Sequence, residues 1–309
     1  MRLKINLILQ GLRNQMSKVG KMKQQKGKWL NLREIIIVVG YKAEKLISYI
    51  NSLDVKTPIT FIKNDFYDKT NNIYSLYIAR DCLLKDDTLL LESDLIFSDG
   101  VLRRLIINPY PDLALVAKYE NWMDGTVVTI DNQNNITSFI DKKDFDFNNI
   151  QKYYKTVNIY KFSKQFSQQY YVPFLKAYID SRGSNEYYEQ VLRVLSAIEK
   201  SSIKAEVLEG EPWYEIDDVQ DLDIAESIFS EDGFNKIRVR YGGYWRYPKL
   251  IDFCYLVNPF YPPKKMIEEI KSNIGTLISN YPSGIEVNSL IAGKYYGLKK
   301  EHVCPGNGA

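Results

Sequence analysis

Residues 89–97 read LLLESDLIF: three leucines, the carboxylates Glu92 and Asp94 around a serine, then apolar residues again. Apolar residues on both sides of the acids point to a strand buried on both faces, the kind found in the parallel sheets of α/β proteins. A carboxylate inside such a strand is costly unless it is paired or holds a metal. The flanking sequence supports this reading. Segment 34–50 (EIIIVVGYKAEKLISYI) predicts a buried strand, a turn at Gly40 and a helix, and 57–64 predicts a second strand. Apolar residues recur at helical spacing over 71–83, and 88–97 reads as a third buried strand, followed by a short helix over 100–106 and a strand over 112–119. Two alternating segments around an Asn-rich turn predict a hairpin over 125–140. A strand over 155–163, a helix over 184–198, and strand, loop and helix over 205–229 complete the pattern. Alternating strands and helices predict an α/β fold with a mostly parallel sheet. Ligands bind at the carboxyl ends of strands in such sheets, and Asp94 lies towards that end of its strand.

Composition narrows the chemistry. The 309 residues carry a net charge of +3, which does not indicate a nucleic-acid partner. A single histidine, His302, excludes zinc sites built on several His ligands and argues against Ser-His-Asp catalysis. Cys82, Cys254 and Cys304 are far apart and fit a reducing, cytoplasmic setting. No apolar run is long enough to predict a membrane span.

Both ends differ from the middle. Residues 1–33 hold nine Lys or Arg and no Asp or Glu, and read as an atypical basic leader. Glycine, proline and aromatic residues concentrate after 241, in YGGYWRYP, NPFYPP, NYPSG and CPGNGA, which predicts a separate unit. The organisation expected is a leader over 1–33, a catalytic domain over 34–232 and a further segment over 233–309.

Asp94 has two readings: a hydrogen-bonded cap or loop anchor, or a ligand of Mg²⁺, which takes hard oxygen donors, one or two of them carboxylates. The second reading needs another acid, and WYEIDDVQDL offers Glu215, Asp217 and Asp218 ahead of a helix. Asp218 suits the helix cap, and Asp217 suits a site shared with Asp94. Such a pair fits metal-assisted phosphoryl or nucleotidyl transfer better than glycoside hydrolysis, for which no sugar cleft is legible.

Together EIIIVVGYKAE, NDFYDKTNNIYSL, LLLESDLIF and EPWYEIDDVQDL resemble nucleotidyltransferases of the sugar-nucleotide pyrophosphorylase type, over about 34–230. Within that superfamily they look most like the cytidylyltransferases that activate phosphocholine or 2-aminoethylphosphonate. The resemblance implies a Rossmann-like mixed sheet with flanking helices. It also implies Mg²⁺ on Asp94 and Asp217, and transfer of CMP from CTP to a small phosphate or phosphonate with release of pyrophosphate. Asn71, Asn72 and Ser75 match the approach to cytosine and ribose. Lys142 matches the lysine of a glutamate-lysine-proline motif, with Lys143 in place of the proline. Asn158 stands where the superfamily has a glycine lining the acceptor site. Trp122 and Asp124, with Glu186, Tyr187 and Tyr188, offer aromatic faces and carboxylates to an ammonium head group, although aromatics also pack in cores. WMDGTVV is more similar to the aminoethylphosphonate enzymes.

The superfamily also opens on a strand and a Gly-rich loop, AAGxGxRL, which cradles the phosphates. ILQGLRNQMSKVGK stands there instead, with Gly11 and Arg13 as a faint echo, and Arg13, Lys18 and Lys21 as charges in place of preorganised amides. The end of the chain resembles the opening of a fold-type-I PLP-dependent aminotransferase. The Schiff-base lysine is expected beyond Ala309, so PLP is not expected to bind here. A sugar 1-phosphate nucleotidyltransferase, a transaminase in a longer chain, and an inactive fragment are the alternatives. The partners expected are CTP and the acceptor, with no nucleic acid or membrane and with a homodimer left open.

Overall fold

A computed structural model describes residues 5–10, 32–198, 203–239, 251, 253, 258 and 260–306. The chain divides into two units between Gly243 and Tyr244. The first is built on one large mixed sheet. Its amino-terminal half contains β1 (Ile5–Gln10), β2 (Leu32–Val39), α1 (Ala43–Asn51), β3 (Ile59–Lys63), α2 (Asn72–Ile78), α3 (Arg80–Leu83), β4 (Asp87–Glu92), β5 (Leu95–Phe97) and α4 (Asp99–Ile107). Then come β6 (Leu113–Lys118), β7 (Val127–Ile130), β8 (Ile136–Ile140), β9 (Tyr154–Phe162), α5 (Lys164–Phe166), α6 (Val172–Arg182) and α7 (Glu189–Ile198). The unit continues through β10 (Lys204–Val207), β11 (Trp213–Glu215), α8 (Val219–Phe229) and α9 (Gly233–Val239).

The main sheet runs β10-β6-β9-β4-β1-β2-β3, with the β7–β8 hairpin attached to β9. Four of its six main pairings are parallel, and β9 is antiparallel to both β4 and β6. The mostly parallel α/β expectation therefore holds. The leucine run explains why β4 is buried on both faces. Leu90 joins a core with Ile73 and Leu76 of α2, Leu175 of α6 and Val191 of α7. Leu89 and Leu91 join the opposite core with Val101 and Leu105 of α4. Each such leucine contributes about 1.5–3 kcal/mol on full burial. A third cluster packs Ile37 and Val39 of β2 on Ala43, Leu46 and Ile50 of α1.

Four expectations change. The segment 88–97 is not one strand: the chain turns at Ser93 and Asp94, and β5 leaves the main sheet to pair antiparallel with β11. The helix over 71–83 breaks at Ala79. The helix expected from 184 begins at Glu189, so Glu186, Tyr187 and Tyr188 lie in the segment leading into it. The segment 1–33 contains β1, which sits between β2 and β4 and pairs Gln10 with Glu92. Residues 11–31, where Gly11, Arg13, Lys18 and Lys21 fall, lie outside the described residues. No helix among the described residues is long and apolar enough to cross a membrane.

In the second unit α10 (Lys264–Ser279) is followed by α11 (Ile285–Tyr296). Gly297 ends α11 in the left-handed conformation, φ 68°, which glycine adopts without a Cβ clash. Leu298 N then donates to Gly293 O at 2.8 Å. YGGYWRYP and the GNGA end lie wholly or largely outside the described residues.

Candidate active site

Asp94 occupies the turn between two sheets. Its carbonyl accepts from Ile216 N at 3.0 Å, and Leu95 registers with Glu215, so β5 and β11 bring ESD and EID together. Glu92, Asp94 and Glu215 each offer a carboxylate oxygen within 4.8 Å of the others. Asp217 is exposed just beyond, and its charge acts on Asp94. Asp218 caps α8 in a capping box with Asp221, the structural role expected for it.

The three clustered acids differ in their partners. Glu92 Oε1 accepts from Asn72 Nδ2 at 3.1 Å and Oε2 from Asn158 Nδ2 at 3.4 Å. Glu215 Oε1 accepts from Asn158 Nδ2 at 2.7 Å, and its Oε2 lies 3.2 Å from Lys155 Nζ. Asp94 Oδ1 is buried with no hydrogen-bond partner. Burial, then the Glu215 charge, pushes the Asp94 carboxyl up to about 7. Burial and the neighbouring acids Glu189, Asp94 and Glu215 hold Glu92 well above the usual carboxylate range. Burial, then Glu215, also raises Asp217. An orphaned buried oxygen among hard oxygen donors fits Mg²⁺, which lowers the cost of gathering these charges.

A cleft of about 520 Å³ opens beside Glu92 and Asp94. Asn71, Asn72, Ser75 and Tyr187 line it, together with Gly40, Asn64 and Tyr67. Asn71 caps α2 by accepting from Asn72 N, while Asn72 Oδ1 accepts from Tyr188 N at 2.9 Å. Asn64 Nδ2 donates to Ser75 Oγ at 3.2 Å. Gly40 is required by a close approach: a Cβ there would lie 2.5 Å from Tyr67 Cβ.

The acceptor-side residues fall on neighbouring elements. Trp122 stacks on Tyr214 of β11 at 4.8 Å and 7°, and its Nε1 donates to Glu120 Oε2 at 2.7 Å. Lys142 pairs with Asp124 at 2.8 Å, and that hydrogen bond lowers the Asp124 carboxyl. Asn158 braces Glu92 and Glu215 from a left-handed backbone, φ 56°, where a glycine would be unstrained. Tyr188 is buried in the core, while Tyr187 stays exposed in the cleft wall. Glu186 lines a different cavity, between α6 and α7.

Three residues of the site carry no role in the sequence reading: Glu92, Glu215, where the sequence favours Asp217, and Lys155. The signal for Lys155 was available, since a lysine within a strand as apolar as YKTVNIYKF demands a buried partner.

No family model matches the chain. It is 27% identical over 286 residues to the CMP-5'-(3-aminopropyl)phosphonate synthase of Streptomyces rubellomurinus, which covers 91% of this chain and 45% of that protein. The chain thus spans less than half the length of that relative. It is 27% identical over 215 residues to the CTP:phosphoglutamine cytidylyltransferase of Campylobacter jejuni, covering 62% of this chain and 81% of that one. Among solved structures, the inositol-1-phosphate CTP transferase from T. maritima superposes with a TM-score of 0.53 at 14% identity, over 77% of this chain and 96% of that chain. The CTP:phosphocholine cytidylyltransferase from Streptococcus pneumoniae gives 0.53 at 18%, over 74% and 100%. The fold is that of the nucleotidyltransferases. The curated relatives are a CMP-phosphonate synthase and a cytidylyltransferase, and the chain resembles such enzymes in sequence.

Proposed function

We propose that the first unit transfers CMP from CTP to a small amino-alkyl phosphonate or phosphate, such as 2-aminoethylphosphonate or phosphocholine, and releases pyrophosphate. The observation that carries this reading is the unpartnered Asp94 oxygen at the edge of a cleft lined by Asn71, Asn72 and Ser75. The two curated relatives supply the nucleotide and the phosphonate or phosphate class of acceptor by analogy.

In this reading Asp94 and Asp217 hold Mg²⁺, which supplies charge stabilisation for the phosphates when bound. Asn71, Asn72 and Ser75 position the base and ribose. Lys142 meets a phosphate or phosphonate oxygen, and its pairing with Asp124 holds it ready. Trp122, with Tyr214 stacked behind it and Glu120 on its indole, gives an ammonium head group an aromatic face and a nearby carboxylate. The acceptor's oxygen attacks the α-phosphorus while the bond to the leaving pyrophosphate breaks. Positioning and electrostatics suffice, so no histidine base is needed. We read the second unit, from its sequence resemblance, as the opening of an aminotransferase fold.

Pyrophosphate release should be measured with each nucleoside triphosphate against 2-aminoethylphosphonate, phosphocholine and glucose 1-phosphate. Release with CTP and an amino-alkyl acceptor is expected, and it should vanish in Asp94→Asn. Preference for glucose 1-phosphate would favour the sugar reading, and no release from a folded chain would overturn both.

A further inference from the structure

Lys155 is 1% exposed, which is rare for a side chain that carries a full charge. It projects from β9, where Lys155 registers with Ala117 of β6 and Val127 of β7. Its Nζ donates to Thr156 O at 2.8 Å and lies 3.2 Å from Glu215 Oε2. Gly125, with φ +94°, closes over it: a Cβ on Gly125 would stand 3.3 Å from Nζ. The ammonium is therefore held in place on several sides. Its charge reaches Glu92, Asp94, Asp124, Glu189 and Asp217 as well as Glu215.

Glu215 has both oxygens engaged on the β9 side, one by Asn158 and one by Lys155. Asp94 Oδ1 has neither kind of partner. Four acids of one sign crowd the site: Glu92, Asp94, Glu215 and Asp217. Gathered carboxylates of this kind would draw divalent cations, and a fixed ammonium among them would take the place of one.

We propose that Lys155 is a positioning residue that stands in for a second metal ion: it fixes Glu215 as a braced anion and limits the site to one divalent cation, held on the Asp94 side. This rests on the reading of the acids as a metal centre, given under the proposed function. It implies that Glu215 shapes the site without being a ligand of the bound ion.

The test is direct titration of the full, nucleotide-free chain with Mn²⁺, a hard-oxygen analogue of Mg²⁺ whose free form is counted by electron paramagnetic resonance. The wild type should bind one ion. Lys155→Met, which keeps length and removes charge, should gain a second. A stoichiometry of one in folded Lys155→Met overturns the proposal. Because Lys155→Met leaves Glu215 without its cation and risks misfolding, the double variant Lys155→Met/Glu215→Gln is titrated too. It should still bind one ion, with affinity within about threefold of wild type; a loss of about tenfold or more makes Glu215 a ligand and overturns the proposal. A wild-type chain that binds no Mn²⁺ removes the metal centre itself and this proposal with it, whereas one ion in both the wild type and Lys155→Met defeats this proposal alone.

Discussion

Asn158 Nδ2 donates to Glu215 Oε1 at 2.7 Å, and it does so from a left-handed backbone, φ 56°. Asparagine tolerates that region better than most residues, at a cost of about 1–2 kcal/mol relative to glycine. The same amide reaches Glu92 Oε2 at 3.4 Å, so one side chain spans two acids of the cluster. Asn158→Gly relieves the backbone but frees both carboxylates. A hydrogen bond to a charged group contributes about 1.5–3 kcal/mol, so the two effects nearly cancel in stability. The melting temperature should change little, and Mg²⁺ affinity should stay within about threefold of wild type, because the carboxylates that Asn158 braces are not read as ligands of the ion. Thermal melts and a Mg²⁺ titration of pyrophosphate release check this; a loss of about tenfold or more would make Glu92 or Glu215 a ligand.

Stability without metal should fall as pH rises. Burial, then Glu215, lifts Asp94 from 3.8 to about 7, and burial lifts Glu189 from 4.5 to about 7. Between the unfolded and folded values the folded state binds more protons than the unfolded state. The stabilising protons are present below the unfolded values and are lost as pH rises through about 7. Each group contributes a slope of at most about 1.4 kcal/mol per pH unit within that window. Denaturation in EDTA at several pH values should show this decline, and Asp94→Asn and Glu189→Gln should each flatten part of it. Asp94→Asn with the wild-type slope intact would show that Asp94 does not carry the effect. Added Mg²⁺ should restore stability chiefly at the alkaline end, where Asp94 is ionised.

Gly40→Ala should damage the cleft. The new Cβ would meet Tyr67 Cβ at 2.5 Å and Cγ at 2.8 Å, so the segment carrying Tyr67 must shift. Both residues line the cleft. The expected result is a rise of about tenfold or more in KM for CTP, with KM for the acceptor nearly unchanged, since a displacement of about 1 Å can cost a hundredfold. Steady-state kinetics with each substrate varied in turn would decide it, and an unaltered KM for CTP would place the nucleotide elsewhere.

Trp122→Phe should act on the acceptor. It keeps a ring against Tyr214 but removes the indole N–H that donates to Glu120 and much of the aromatic face. A cation over an aromatic face contributes about 0.5–2 kcal/mol, so KM for an ammonium-bearing acceptor should rise about 2–30-fold. An equal change with an acceptor lacking the ammonium group would assign Trp122 to packing.

Much of the fold was legible because its signals are local. The leucines of 89–91 read as a strand buried on two faces, and Leu90 does face the opposite core from Leu89 and Leu91. The hairpin of β7 and β8 and the cap at Asp218 follow from turn and capping chemistry within a few residues. β1 was harder to see, because charge rather than apolar alternation dominates the segment 1–33.

The site was legible only in outline. The acids of ESD and EIDD could be named from the sequence, since carboxylates within apolar stretches need a reason. Their partners could not. Leu95 begins a strand that pairs with β11, more than a hundred residues away, and that pairing puts Glu215 beside Asp94 and leaves Asp217 just outside. From β9, Asn158 reaches Glu92 and Glu215 and Lys155 reaches Glu215, because β9 lies between β4 and β6 in the sheet. The sequence by itself determined that a buried acid had to be compensated; the long-range strand pairing decided which side chains do it, because hydrogen bonds and ion pairs act over a few ångströms whatever the distance along the chain.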